Sequence, residues 1–423
     1  MTVASAIGMR QSRLTLLRVF VPFSLGYFFS YLYRVVNAII AFDLVADIRL
    51  TPADLGFLTA TYFLAFAAFQ LPLGVLLDRY GSRRVVAILL IFAAMGAFVF
   101  ARAESMVGLV IGRALIGLGV SACLMGAFTA FVLWFPRERL PFINGMQMAA
   151  GGMGMLSATA PVERALQYTD WRGVFMALSI MTLAVVVIIL FVVPERERES
   201  HQTGLAEQLR GIADIYGSMR FWRIAPLSVM TQSTFLAIQG LWAGPWLRDV
   251  AGLDSMSVAN VLFLSASSMI AGVFIMGGVA ERLGRRGIHT ATVMLWGMLV
   301  FMITQAFIAR GSISLTVPLW ILFGFFGPTG VLSYAILAQK FPPHLGGRAN
   351  TCLNLFVFVA TFVAQWGIGI VINRWPAGPD NRYAMEGYEV AFTVIIILQI
   401  VALLWYVLSG VCHGTAVRRN RGK

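Results

Sequence analysis

The chain has 423 residues, 59% of them hydrophobic and only 12% charged, with a mean hydropathy of +0.81. About a quarter of a soluble domain is charged, so this composition excludes one. A net charge of +13 would suit nucleic acid, but the basic residues are spread along the chain between apolar runs, and no nucleic acid is expected as a partner.

Twelve apolar runs recur along the chain, most of them long enough to cross a hydrocarbon core of about 30 Å. They cover roughly 19–43, 53–77, 85–101, 107–134, 142–162, 173–193, 224–247, 256–280, 290–309, 314–339, 349–373 and 389–411. The fold class expected is an all-α membrane protein with twelve transmembrane helices in two six-helix bundles. Placing the N-terminus inside puts 22 of the 32 Lys and Arg in inner loops and tails, 8 in outer loops and 2 in spans, as the positive-inside rule requires. That orientation predicts a multi-pass protein of the cytoplasmic (inner) cell membrane with both termini cytoplasmic. The first run is of full spanning length, so no cleavable signal peptide is expected.

In the first span, the spacing of Tyr27, Ser30, Arg34 and Asn37 puts them on one helix face. A polar stripe there must face water or protein. The second span opens on Thr51-Pro52-Ala53-Asp54, a helix start with a capping Thr, a first-turn Pro and an acid at the positive end. It closes on Gly74-Val75-Leu76-Leu77-Asp78-Arg79-Tyr80-Gly81-Ser82-Arg83-Arg84, which recurs as Gly277-Gly278-Val279-Ala280-Glu281-Arg282-Leu283-Gly284-Arg285-Arg286. An acid at the C-terminal end of its own helix faces the negative end of the dipole. Asp78 and Glu281 therefore need partners, among the neighbouring arginines or at another helix N-terminus.

The fourth span carries Arg113, Gly117 and Ser121 on one face, and the fifth carries Asn144-Gly145 and Gly151-Gly152-Met153-Gly154, ending at Pro161. Small residues of this kind let helices approach closely. After Glu195-Arg196-Glu197-Arg198-Glu199, the residues Leu205, Leu209, Ile212, Tyr216 and Met219 recur at helical spacing in a segment read mainly as a linker. The seventh span offers Gln232, Gln239, Trp242 and Trp246, and the tenth has a kink signal at Gly327-Pro328-Thr329-Gly330, with Tyr334 a turn beyond. Phe135-Pro136 and Phe341-Pro342 each stand ahead of an asparagine, Asn144 and Asn350. The asparagines are 206 residues apart and the acids Asp78 and Glu281 are 203 apart. This repeat predicts an N-terminal bundle at 1–193, a linker at 194–223, and a C-terminal bundle with a basic tail at 224–423.

Two charged residues lie well inside spans, Arg34 and Arg113. A guanidinium at mid-membrane costs about 2.5 to 3.5 kcal/mol or more, so each needs a purpose. Arg34 sits roughly 13 Å from the outer end of its helix and Arg113 roughly 9 Å, at 1.5 Å per residue. Cys123, Cys352 and Cys412 have no metal or disulfide spacing. Neither a cofactor nor a metal is expected, and nothing suggests an enzyme. Soft methionines at 146, 148, 153 and 155 would be the donors of a copper importer, but two arginines nearby would repel a cation.

The G-x-x-x-D-R-x-G-x-R-R loop, with its slightly degenerate second copy, resembles the signature of the major facilitator superfamily, and Arg113 with Gly117 and Gly119 resembles its second motif. The resemblance implies transport by alternating access. It also implies an inner-gate latch at Gly74, Asp78, Arg79, Gly81, Arg83, Arg84, Gly277, Glu281, Arg282 and Gly284. Tyr31-Leu32-Tyr33-Arg34 with Asp54-Leu55-Gly56 is similar to the organophosphate and anion branches, in which an arginine of the first helix binds the anion. The seventh span lacks the second arginine of phosphate exchangers, which favours a monoanion such as a carboxylate or nitrate, or a zwitterion. The substrate-binding set is then Arg34, Arg113, Tyr27, Tyr33, Asn37, Gln239, Trp242 and Tyr334. The expected partners are a small anionic solute, a coupling proton or counter-anion, and the bilayer, around a monomer. The alternatives are export of amphipathic drugs or metabolites and, behind it, a transporter-like receptor.

Overall fold

The computed structural model describes residues 14–195, 212–376, 378 and 382–420. Leu205, Leu209, most of the charge run after Glu195, and the tail residues Arg421 and Lys423 lie outside them. Every regular element among the described residues is helical. The Cα positions fall into two compact units, residues 1–50 with 61–202, and residues 51–60 with 203–423.

In the first unit a π turn at Leu16–Phe20 leads into α1 (Val21–Val35) and α2 (Asn37–Ile48). Then come α3 (Pro52–Arg102), whose residues 52–60 belong to the second unit, α4 (Met106–Val120), α5 (Cys123–Trp134), α6 (Leu140–Ser157), α7 (Ala160–Leu166) and α8 (Trp171–Val192). α3 is two helices meeting at Gly81, whose φ of 75° is open to glycine and strained for other residues. Its start is fixed by a reciprocal cap. The Asp54 backbone N–H donates to Thr51 Oγ1 at 3.2 Å, and Asp54 Oδ2 accepts from the Thr51 backbone N–H at 3.0 Å and from its hydroxyl at 2.6 Å. α8 is capped by Asp170, which accepts from the Gly173 N–H at 2.8 Å.

α1 packs against α4, α5, α6 and α8. Close approach to α6 rests on absent side chains. A Cβ at Gly154 would stand 2.0 Å from the Phe28 carbonyl oxygen, and one at Gly151 2.6 Å from the Tyr27 ring. α4 meets α3 in the same way, with Gly117 over the Tyr62 carbonyl and Gly119 over Ala93. Arg172 pairs with Asp47 and lies over the Trp171 ring, holding the Asp47 carboxyl below the usual carboxylate range.

The second unit contains α9 (Met219–Ala237), a π turn (Ile238–Trp242), α10 (Ala243–Asp249), α11 (Ser255–Arg285) and α12 (Thr290–Ala309). It continues through α13 (Thr316–Phe326), a 3-10 turn (Gly327–Val331) at the expected kink, α14 (Leu332–Ala338), α15 (Pro343–Ile372) and α16 (Met385–Asn420). Ile215, from the end of the segment read as a linker, is buried with Phe221, Ile224, Leu337 and Leu353.

Ten helical stretches among the described residues are long and apolar enough to cross a membrane. The two expected runs without a counterpart are 142–162 and 224–247. Both are helical, but the first, in α6, carries Asn144, Gln147 and four glycines and breaks at Ala158-Thr159. In the second, α9 carries Ser228, Thr231, Gln232, Ser233 and Thr234. Those polar groups are paired inside the unit. Gln399 Nε2 donates to Gln305 Oε1 at 2.9 Å and to Thr234 Oγ1 at 3.1 Å, tying α16 to α12 and α9. Gln399→Leu strands two buried partners, and a loss of about 1 to 3 kcal/mol is expected. Thermal unfolding in detergent would register it as a lower Tm, and an unchanged Tm would show that the network contributes nothing.

Candidate functional site

Arg34 lies in the last turn of α1 and is 7% exposed. Its guanidinium carbon stands 4.4 Å from the Tyr31 ring centre and 5.7 Å from that of Phe66. Tyr27, one α-helical turn before Tyr31, packs edge-on to it at 5.1 Å and reaches Met148 on α6. Tyr62 completes the frame, close enough to Arg34 to interact electrostatically, with its hydroxyl donating to the Ser30 carbonyl at 3.1 Å. The result is a cation inside an aromatic enclosure with polar rims, where ring faces and hydroxyl oxygens both favour positive charge.

Arg113 sits differently. It is fully buried; Nη1 donates to the Tyr33 carbonyl at 2.8 Å, while Nε and Nη2 make no hydrogen bond. Its charge lies 5.8 Å from the Tyr62 ring centre and 5.7 Å from that of Phe100. Tyr33 is fully buried too, with its hydroxyl at 2.9 Å from Thr182 and its ring near Phe29 and Phe175. The structure thus brings Arg113 together with Tyr33, and Arg34 with Tyr27 and Tyr31. Tyr62 touches both groups. Sequence reasoning missed it because only the fold of α3 brings it there, and its one signal was an aromatic in an apolar run. Asn37, at the start of α2, is fully buried.

In the second unit the expected polar face of the seventh span is divided. Gln232 donates to Ser228, which lies 2.5 Å from Ser333. Gln239 accepts from Ser265 at 3.2 Å, and its Nε2 is buried without a partner. Trp242 donates to the Gln365 carbonyl at 2.9 Å, and Trp246 packs on Trp320. The π turn at 238–242 explains the division, since wider turns rotate all that follows away from the face set by α9. Tyr334 donates to Asn354 at 2.9 Å.

At the signature loop, Arg84 pairs with Glu195 at 2.5 Å, Arg83 stands 3.7 Å from the same carboxylate, and Arg83 also donates to the Leu190 carbonyl. Asp78, Arg79 and Gly81 line a cavity with them. Arg79 lies near the Tyr80 ring. In the second copy Glu281 pairs with Arg285, one of its neighbouring arginines, at 2.6 Å in an exposed i,i+4 contact. Gly74, Gly277 and Gly284 face open space.

A family profile described as Major Facilitator Superfamily matches residues 23–364. The chain is similar to the probable sulfoacetate transporter SauU of Cupriavidus necator, at 23% identity over 83% of this chain and 86% of that protein. It is similar to the probable galactarate/D-glucarate transporter GudP of Escherichia coli, at 24% identity over 82% and 84%. The probable nitrate/nitrite antiporter NarK1 of Thermus thermophilus matches at 25% over 57% and 56%. Among solved structures, a bacterial homologue of the human lysosomal transporter Spinster superposes with a TM-score of 0.76 at 16% identity, covering 92% of this chain and 96% of its own. A D-xylose-proton symporter superposes at 0.72, also at 16% identity, covering 92% and 97%. With the profile extending over most of its length, this membrane-embedded helical chain belongs to the major facilitator superfamily of transporters and is not an enzyme.

Proposed function

We propose that the protein moves a small anion, such as a carboxylate, sulfonate or nitrate, across the cytoplasmic membrane by alternating access, as a symporter or an exchanger. The observation that carries this reading is Arg34, a cation kept deep in the first span inside an enclosure of tyrosines. A buried charge in a membrane helix is costly and marks a substrate path far more often than a packing contact. An anion entering beside Arg34 would find a forked donor and aromatic walls with polar tips. The relatives named for sulfoacetate, galactarate/D-glucarate and nitrate/nitrite support the same class.

The reading includes twelve spans, with 142–162 and 224–247 as the two that polar and glycine residues make less apolar, and both termini on the cytoplasmic side. Tyr27 and Asn37 belong to the same binding set as Arg34, and Gln239, Trp242 and Tyr334 are the further residues of the proposed substrate-binding set. Arg113 and Tyr33 hold α4 to α1. Asp78 with Arg79, Arg83 and Arg84, and Glu281 with Arg282, are the proposed gating groups, each within its own unit.

The test is a thermal-shift panel on the purified protein, with sulfoacetate, D-glucarate, nitrate, phosphate, neutral sugars and amphipathic cations. Stabilisation by one or more of the anions is the expected result. Stabilisation by amphipathic cations or neutral compounds alone would overturn the reading in favour of export.

A further inference from the structure

Asp249 is the last residue of α10, and its side chain is 1% exposed. Its Oδ2 accepts a hydrogen bond at 2.8 Å from the hydroxyl of Tyr388, a fully buried residue of α16. Its Oδ1 accepts none. The Nε of Arg248 stands 3.8 Å from that oxygen, beyond hydrogen-bond length. The hydroxyl of Tyr383 is buried in the same cluster and likewise makes no hydrogen bond. An ionised carboxylate offers about four acceptor sites and, away from water, needs most of them filled. This one is underfilled, on the oxygen where a proton would sit.

The charged and titratable groups around it come from four places. Arg248 is its neighbour on α10, Tyr388 belongs to α16, and Arg382 and Tyr383 come from the segment leading into α16. Asp54, in the first turn of α3 and part of the same compact unit, acts on the cluster through Tyr383. Burial opposes the charged form of Asp249, and the Tyr388 hydroxyl, the Tyr383 backbone N–H, Arg248 and Arg382 favour it. Burial prevails, and the carboxyl is pushed up to about 6.

We propose that Asp249 is a reversible proton-binding site of the transporter: a proton from water adds to Oδ1 to give the neutral acid, and returns to water when the acid ionises. This goes beyond the anion reading and does not depend on it, since no substrate has to be bound. Protonation also weakens the grip of α16 on α10, because the Tyr388 hydrogen bond is charge-assisted only while Asp249 is ionised. It supplies a titratable group of the kind a proton-coupled mode requires.

The experiment is pH-difference infrared spectroscopy on the purified full chain, without substrate, titrated through pH 6. A protonated-carboxyl C=O band with a midpoint at about 6 is expected in the wild type and should be missing in Asp249→Asn. In Tyr388→Phe the midpoint should move up by about one pH unit, a tenfold tighter proton, because the lost hydroxyl favoured the ionised form. Stability gives a second readout. Unfolded, the carboxyl titrates near ~4, so between there and about 6 the folded protein holds more protons and its Tm should fall as pH rises. That slope should flatten in Asp249→Asn. The same band persisting in Asp249→Asn, or a wild type with no carboxyl titrating above pH ~5, would overturn the proposal. If Asp249→Asn does not fold, Tyr388→Phe decides: an unmoved midpoint rejects the site.

Discussion

Gly154→Leu should leave little folded protein, with a loss of at least about 3 kcal/mol. The new Cβ would lie 2.0 Å from the Phe28 oxygen, 2.8 Å from its carbonyl carbon and 3.0 Å from its Cα. All three are backbone atoms, so no side chain can swing aside. α1 and α6 would have to separate by more than an ångström, and every van der Waals contact along the pair would weaken. Arg34 rides on α1, so whatever protein remains should also lose its binding geometry. Gly145 on the same helix is the control, because a Cβ there meets nothing within 4 Å. Gly145→Ala should be neutral or gain up to about 1 kcal/mol from the lower entropy of its unfolded chain. Expression level and detergent unfolding of the two variants measure this directly. A Gly154→Leu protein with the Tm of the wild type would mean the α1–α6 seam is looser than the backbone distances indicate.

Arg34→Gln should reduce uptake of radiolabelled sulfoacetate or nitrate into proteoliposomes by roughly 100-fold, the usual scale when one partner of a buried charge interaction is removed. Its thermal stability without substrate should hold or rise, since the variant no longer keeps a charge in the membrane. Arg34→Lys preserves the charge but not the planar fork, and a loss of roughly tenfold is expected. Arg113→Gln should behave in the opposite way. Its single hydrogen bond goes to the Tyr33 carbonyl in a fully buried setting, so its removal should lower Tm more than it changes selectivity among anions. If Arg34→Gln keeps uptake within about threefold, too small a change for a lost charge partner, Arg34 packs the bundle and another group binds the substrate.

Much of this arrangement is written in local chemistry and could be read from the sequence. The cap at Thr51 and Asp54, the turn at Gly81, the close-packing glycines of α6 and the break at Gly327-Pro328 each depend on a few adjacent residues. What could not be read depends on tertiary geometry or on a change of helical period. The π turn at 238–242 has no strong sequence mark, yet it decides that Gln239, Trp242 and Trp246 find separate partners. Glu195 becomes the partner of Arg83 and Arg84 because the chain returns there more than a hundred residues later. Asp249 stands beyond the end of a span next to Arg248 and carries no motif that singles it out in the sequence. Only the structure shows its carboxylate turned into the interior toward Tyr388.

Residues 51–60 belong to the same compact unit as residues 203–423. A Cβ on Gly56 would strike the Gln365 carbonyl oxygen at 2.8 Å, one on Gly369 the Pro52 oxygen at 2.4 Å, and Phe57 packs edge-on to Trp366. A gene cut within the segment read as a linker would therefore separate ten residues from the unit they complete. The C-terminal fragment made alone would show a bare strip at Gly369, Trp366 and Trp242. Supplied separately, a peptide corresponding to 51–60 would cover that strip.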